Sequence, residues 1–255
     1  MDYNILYYLF ASLIFQIVMF IPAFIFKTDK LTDMSYSLTF IFLALFAFFT
    51  NTFSIPKLIL LIIISIWAIR LGSYLFIRIN KIGKDARFDN MRDRFFKFSG
   101  FWLLQGLTVW VVILASLNFF INDYSNLALL IIGLFIWLIG LLIESFADYQ
   151  KFTFRNNPKN KGKWISNGLY KYSRYPNYFG EALCWIGIFI FTYQGLNYTS
   201  LINLASPLFI LIMLLFVSGI RLLEKSNNKK FGNNKEYQVY KKKTSTFIPW
   251  FNKNG

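Results

Sequence analysis

The chain has 255 residues, 56% of them hydrophobic and 21% aromatic with 31 phenylalanines, a composition too apolar for a soluble domain of this size. It has no histidine and one cysteine, Cys184, which excludes an internal disulfide, a cysteine-cluster metal site, histidine-ligated haem, a His-box di-iron centre and a Ser-His-Asp relay. The net charge of +15 points to nucleic acid only until the bases are placed along the chain.

A helix that crosses a bilayer needs about 20 apolar residues, because each adds ~1.5 Å to a path of ~30 Å. Runs of that kind fall at roughly 3–26, 34–54, 57–77, 100–120, 126–147, 178–194 and 201–221. The expected fold is therefore all-α, a polytopic membrane protein of about seven transmembrane helices. The start Met1-Asp2-Tyr3-Asn4 has no positive n-region, and no small-residue cleavage site follows the first run, so the first helix is expected to stay. Neither an internal repeat nor a Pro, Gly or Ser linker divides the chain, which reads as one integral membrane domain over 1–255. Charge alternates from Lys84 to Arg94, as in a short interfacial helix or ordered loop, and lysines surround Phe231, Tyr237 and Tyr240 in a second such segment over 225–243.

On this topology every Lys and Arg except Lys57 and Arg70 lies in alternate connections, and so on one side of the membrane. The positive-inside tendency makes that side cytoplasmic, with the N-terminus outside and the C-terminus inside. No nucleic-acid partner is expected. Membrane lipids are, and a basic run beside a bilayer also suits anionic headgroups.

Ionisable groups within spans cost ~2.5–3.5 kcal/mol each at a helix centre, so their placement is informative. Arg70, Tyr74 and Arg78 recur every four residues on one face of the third helix; Glu144 and Asp148 do the same on the fifth. Gln105 lies early in the fourth, Glu181 opens the sixth, and Arg221 and Glu224 close the seventh. All fall in the cytoplasmic half. Snorkelling at helix ends accounts for part of this pattern; a polar pocket open to the cytosol, with a lipophilic substrate entering from the bilayer, accounts for the rest.

The stretch from Asp148 to Glu181 reads as a loop with more chemistry than a connection needs. Lys151, Arg155, Lys159, Lys161, Lys163 and Arg174 supply cations for phosphate, Tyr172, Tyr175 and Tyr178 supply stacking surfaces, and Asp148, Asn177 and Glu181 supply polar contacts. No Gly-x-Gly-x-x-Gly follows a strand, so a Rossmann fold is excluded, and a nucleotide would have to be held between helices.

Several motifs occur in order: Glu144-x-x-x-Asp148-Tyr-Gln-Lys, Arg155, then Gly168-Leu-Tyr-x-Tyr-Ser-Arg174-x-Pro176-Asn177-Tyr-x-Gly180-Glu181, then Ser218-Gly-Ile-x-Leu-Leu-Glu224, Glu236-Tyr237-x-x-Tyr240 and Phe247-Ile-Pro249-Trp250. This order resembles the bacterial membrane family related to steroid 5-alpha-reductases, over about Trp67 to Trp250. The resemblance implies a reductase-like helical fold, in a bacterial inner membrane, that binds NADPH in a cytosol-facing cavity and delivers hydride to a lipophilic enone, steroid-like or isoprenoid. It assigns Asp148, Arg155, Asn177, Glu181 and Tyr237 to the cofactor, with Asn177 and Glu181 near the nicotinamide and Arg155 and Tyr237 toward the adenosine phosphates. Glu144, Lys151, Tyr172, Arg174 and Arg221 complete the expected pocket, and no metal is expected. Where the steroid enzymes carry a tyrosine that polarises the substrate carbonyl, this chain has Trp67, which has no acidic hydroxyl. In those enzymes that tyrosine pairs with a glutamate; Asp33 is a candidate replacement for its carboxylate, and Arg70 and Tyr74 are the candidate catalytic groups.

The second alternative is an S-adenosylmethionine-dependent membrane methyltransferase of the isoprenylcysteine or phospholipid type. That family shares Arg-His-Pro-x-Tyr-x-Gly and a paired Glu, where this chain has Arg174-Tyr175-Pro176 and a single Glu224. A third is a non-catalytic lipid-binding membrane protein. Substrate identity and oligomeric state are not legible in the sequence.

Overall fold

A computed structural model describes residues 3–122, 126–195 and 198–251. The helices are α1 (Tyr3–Ile25), α2 (Thr32–Thr50), α3 (Ile55–Ile82), α4 (Phe95–Ile121), α5 (Leu127–Asn156), α6 (Pro176–Phe191), α7 (Tyr198–Asn203), α8 (Ala205–Ile212), α9 (Ile220–Phe231) and α10 (Lys235–Lys243). No strand occurs among the described residues, apart from an isolated bridge between Ser173 and Ser245. Among the described residues six stretches are long and apolar enough to cross a membrane: α1 to α5 and the run Leu201–Phe231. The protein is an integral, multi-pass, all-α membrane protein. The expected span at 178–194 forms α6, whose 16 residues reach about 24 Å, short of a hydrocarbon core of ~30 Å.

The chain divides into two compact units, residues 1–130 with 192–206 and residues 131–191 with 207–255. In the first unit α4 is the central helix, with 72% of its apolar window buried against 28% for α1. Phe40, Leu43, Leu60, Ile64 and Trp67 form its core with Val112 and Ile113. Trp67 is wholly buried, with its ring edge-on to Phe40 at 5.1 Å, so the departure from the steroid enzymes is a packing residue here. Gln105 is also structural. Its amide donates to Gln16 Oε1, the Thr32 carbonyl and Ser35 Oγ, each at 3.0 Å, while Gln16 donates to Thr39 Oγ1 at 2.7 Å. In lipid such satisfied polar bonds hold helices together where apolar burial gives little driving force.

Local chemistry sets the ends of these helices. Ser54 caps α3 with Pro56 in its first turn, and Gly83, at φ +86°, turns the chain out of it. The charged segment after Gly83 is an ordered loop with one 3₁₀ turn, Ala86–Phe88. Asp29 anchors it by accepting from Arg92 Nε at 3.0 Å and the Asp85 amide at 2.6 Å; Arg92 also donates to Asp89 and to the Asp85 carbonyl, both at 2.8 Å. Phe20, Phe88, Phe98 and Trp102 close an aromatic cluster beneath.

In the second unit, α5 and α6 run antiparallel in backbone contact through Gly133, Gly140, Gly180 and Gly187. A Cβ added at Gly140 would stand 2.6 Å from the Cys184 nitrogen, and one at Gly180 would stand 2.5 Å from the Glu144 nitrogen. Small residues at seven-residue spacing on both helices make this approach possible. α5 extends to Asn156, so Asp148 to Arg155 are its last two turns and the connection to α6 begins only at Asn157. Before α9, a π turn at Met213–Val217 directs both the Ser218 and Gly219 amides to the Met213 carbonyl, at 3.0 and 3.2 Å. One extra residue in a turn rotates the rest of the helix by about 100°.

Candidate functional site

The second unit holds a cavity of about 630 Å³, within the range of small-molecule and cofactor sites. The end of α5 contributes Lys151, Phe154 and Arg155; the connection to α6 contributes Asn160 to Ile165 and Tyr170, Arg174 and Tyr175; α9 contributes Leu223, Glu224, Asn227, Lys230 and Phe231; α10 contributes Tyr237 and Tyr240. Spacings of three and four bring the α9 residues to one face, as they do Tyr237 and Tyr240 on α10. Asn234 caps α10 by accepting from the Glu236 and Tyr237 amides at 2.8 and 3.1 Å, which fixes where that face points.

Glu224 is the hub of the site. Arg174 Nη1 donates to both its carboxylate oxygens at 2.7 and 2.8 Å, the Tyr175 hydroxyl donates to Oε1 at 2.7 Å, and Lys241 Nζ lies 3.3 Å from Oε2. Arg174 Nη2 donates to Thr246 Oγ1 at 2.6 Å, and Asn227 Nδ2 donates to the Tyr175 hydroxyl at 3.3 Å. Across the cavity the Tyr240 hydroxyl donates to the Tyr170 carbonyl at 2.8 Å, and the Trp164 ring stands edge-on to Phe231 and Tyr237 at 5.7 and 5.2 Å. Gly168 sits under Gln150, whose Oε1 accepts from the Leu169 amide at 3.0 Å; with φ at +58° and Gln150 atoms 2.5 Å from where a Cβ would stand, a side chain there would strain the backbone and displace Gln150.

The lining carries six basic side chains (Lys151, Arg155, Lys161, Lys163, Arg174, Lys230) and one carboxylate, Glu224. Rings surround them. Burial, then the Glu224 carboxylate, pushes the Tyr175 phenol well above the ordinary tyrosine value; burial does the same at Tyr240, and burial, then Glu224, raises Tyr237. Burial therefore holds these hydroxyls in the neutral form, and those of Tyr175 and Tyr240 donate.

Of the residues expected from sequence, Lys151, Arg155, Arg174 and Tyr237 meet at this cavity. Glu144, Asp148, Asn177 and Glu181 do not line it. They form a second polar group along the α5–α6 contact: Glu144 and Asp148 are buried one turn apart on α5, and Asn177 is buried one turn before Glu181 on α6. Glu144 Oε2 lies 4.0 Å from Cys184 Sγ. Tyr172 is 37% exposed with its ring against Phe251 at 6.0 Å, and Arg221 is exposed on α9; neither lines the cavity. Arg70 and Tyr74 lie on α3 in the first unit. There Asp33 is bound to Arg78 at 3.0 Å, which occupies the carboxylate considered as a replacement. No cluster of metal-ligating side chains occurs among the described residues.

Trp164, Asn227 and the hub role of Glu224 have no place in the site expected from sequence. Tyr237 and Tyr240 at helical spacing were the available signal for an aromatic wall. Trp164 carried none, since only the fold brings it against Phe231.

A family model described as a protein of unknown function, DUF1295, matches residues 19–244. An uncharacterized protein of Schizosaccharomyces pombe is 26% identical over 136 residues, covering 46% of this chain and 38% of that protein. The probable O-methyltransferase ustE of Ustilaginoidea virens is 39% identical over 46 residues, 18% of this chain and 16% of that protein. The chain thus spans well under half the length of each of these relatives. No solved structure matches. The motifs from Glu144 to Tyr240 lie inside the region that the family model covers, and the chain belongs to the DUF1295 family, the steroid 5-alpha-reductase-like group.

Proposed function

We propose that the protein is a membrane-embedded enzyme that holds NADPH in the cavity between the end of α5, the connection to α6, and α9 with α10, and reduces a lipophilic enone. The observation that carries this reading is the lining: six bases against one acid, walled by aromatic rings. A phosphorylated dinucleotide is polyanionic and has two ring systems, so it fits both features. S-adenosylmethionine has no phosphate and a cationic sulfonium, and such a lining opposes it.

Two buried atoms fit the same ligand. Arg174 Nε and Asn177 Oδ1 have no hydrogen-bond partner, so one can donate to a phosphate oxygen and the other can accept from a carboxamide. The bound cofactor would supply hydride. Arg155, Lys161 and Lys163 would hold its phosphates and Trp164 and Tyr237 would flank its adenine, while its nicotinamide end would extend out of the cavity to Asn177 and Glu181 on the α5–α6 seam. Arg70 and Tyr74 are proposed for the substrate carbonyl, where a hydrogen-bond donor is most effective as charge develops on oxygen. The cavity is proposed to face the cytoplasm, with the N-terminus outside.

The match to the probable O-methyltransferase favours methyl transfer from S-adenosylmethionine as the second reading. Calorimetric titration of the detergent-solubilised protein separates the two. NADPH is expected to bind more tightly than S-adenosylmethionine, and Arg155→Ala to weaken NADPH by about tenfold or more, since a hydrogen bond to a charged group is worth ~1.5–3 kcal/mol. The reverse order of affinity would move the assignment to methyl transfer.

A further inference from the structure

The segment after α10 carries chemistry that the cavity does not use. Residues 244–251 are not helical, yet they are fastened along the connection before α6. The Arg174 amide donates to the Ser245 carbonyl at 2.8 Å, Ser173 Oγ to the Phe247 carbonyl at 2.8 Å, and the Trp250 amide to the Tyr172 carbonyl at 3.0 Å. Although its backbone is pinned, the segment turns large apolar side chains outward: Ile248 is 58% exposed, Trp250 67% and Phe251 78%. Tyr172 joins them, its ring 6.0 Å from Phe251. Ser173 and Ser245 form an isolated bridge, and Lys171, two residues before the one, and Lys242 and Lys243, at the end of α10 before the other, are all exposed.

Exposed rings and cations gathered around one bridge need an environment that accepts both. Water disfavours the rings. The hydrocarbon core excludes a non-helical backbone, whose polar groups would go unsatisfied, and it penalises lysine. The headgroup layer takes tryptophan and tyrosine at its depth and binds lysine through anionic phosphates. Charge complementarity selects anionic lipid: residues 220–251 carry Arg221 and seven lysines against Glu224 and Glu236. We propose that Lys171, Tyr172, Lys242, Lys243, Trp250 and Phe251 form a binding surface for anionic lipid headgroups. The surface anchors α10, and with it the Tyr237 and Tyr240 wall of the cavity, to the bilayer.

The test uses the full chain in nanodiscs of phosphatidylcholine alone or mixed with phosphatidylglycerol, reading trypsin cleavage after Lys242 and Lys243. Cleavage is expected to be at least about tenfold slower on the anionic discs, because each lysine near such a surface changes its partition by roughly fivefold. The protection should fall in ~1 M salt, where the screening length is ~3 Å, and in the variants Lys171→Gln and Trp250→Ser/Phe251→Ser. These side chains are exposed, so their loss leaves the fold intact. Equal cleavage on the two disc types would overturn the proposal, whether the patch then docks an acidic protein or nothing. Protection that survives all the variants would overturn it too.

Discussion

Gly140→Ala tests the backbone contact on which the second unit is built. The added methyl would stand 2.6 Å from the Cys184 nitrogen and 2.7 Å from the Gly180 carbonyl oxygen. Ordinary contact distances are ~3.5 Å or more, so the two helices must part by about 1 Å or bend. Neither obstacle is a flexible side chain that could rotate away. Overpacking of this kind costs about 1–3 kcal/mol, and parting also loosens the flanking contacts at Gly133, Gly180 and Gly187. For a chain of this size that corresponds to a fall in unfolding temperature of about 3–10 °C in detergent. Gly100→Ala on α4 is the internal control, since a methyl there meets nothing within 4 Å. It should leave the midpoint unchanged or raise it slightly, because alanine is the better helix former. Thermal unfolding followed by intrinsic fluorescence compares the two. Equal midpoints for Gly140→Ala and Gly100→Ala would refute the close approach of α5 to α6.

The polar networks supply two more tests. Arg92→Ala leaves the Asp29 carboxylate, 3% exposed, with the Asp85 amide and no cation, and breaking a buried pair in this way costs about 3–5 kcal/mol; a loss below about 1 kcal/mol in denaturant titration would show that the loop is not held from Asp29. Tyr175 titrates above its unfolded value of about 10 because it is buried and bonded to Glu224, so its contribution to stability is complete below pH ~10 and is lost as pH rises through the higher folded value. Tyr175→Phe should therefore flatten the fall of unfolding temperature above pH ~10, and an unchanged alkaline slope would assign that fall to other groups.

The Asp148 to Glu181 stretch illustrates what could and could not be read in advance. Its bases and rings were visible because charge beside apolar runs is costly and so is placed for a reason. Its partition was not visible. Asp148 continues the helical face of Glu144, and antiparallel contact at the glycines carries both acids to α6, away from Lys151 and Arg155. The residues grouped as one pocket therefore separate into a basic cavity and a buried polar seam. Trp67 shows the same limit: its type announced a departure from the steroid enzymes, and only the packing against Phe40 shows it filling the core.

Sequence by itself determined the solvent of this protein. Apolar runs near bilayer length, bases gathered between them and the absence of histidine define an all-α membrane protein without histidine-based chemistry, because those properties depend on composition and spacing alone. Tertiary structure decided which chemistry is shared. Arg174 and Tyr175 stand 50 and 49 residues before Glu224, and their union with it and with Lys241 depends on the phase of α9 after its π turn and on the docking of α10. Such phases are fixed by long-range contacts, and no local pattern encodes them.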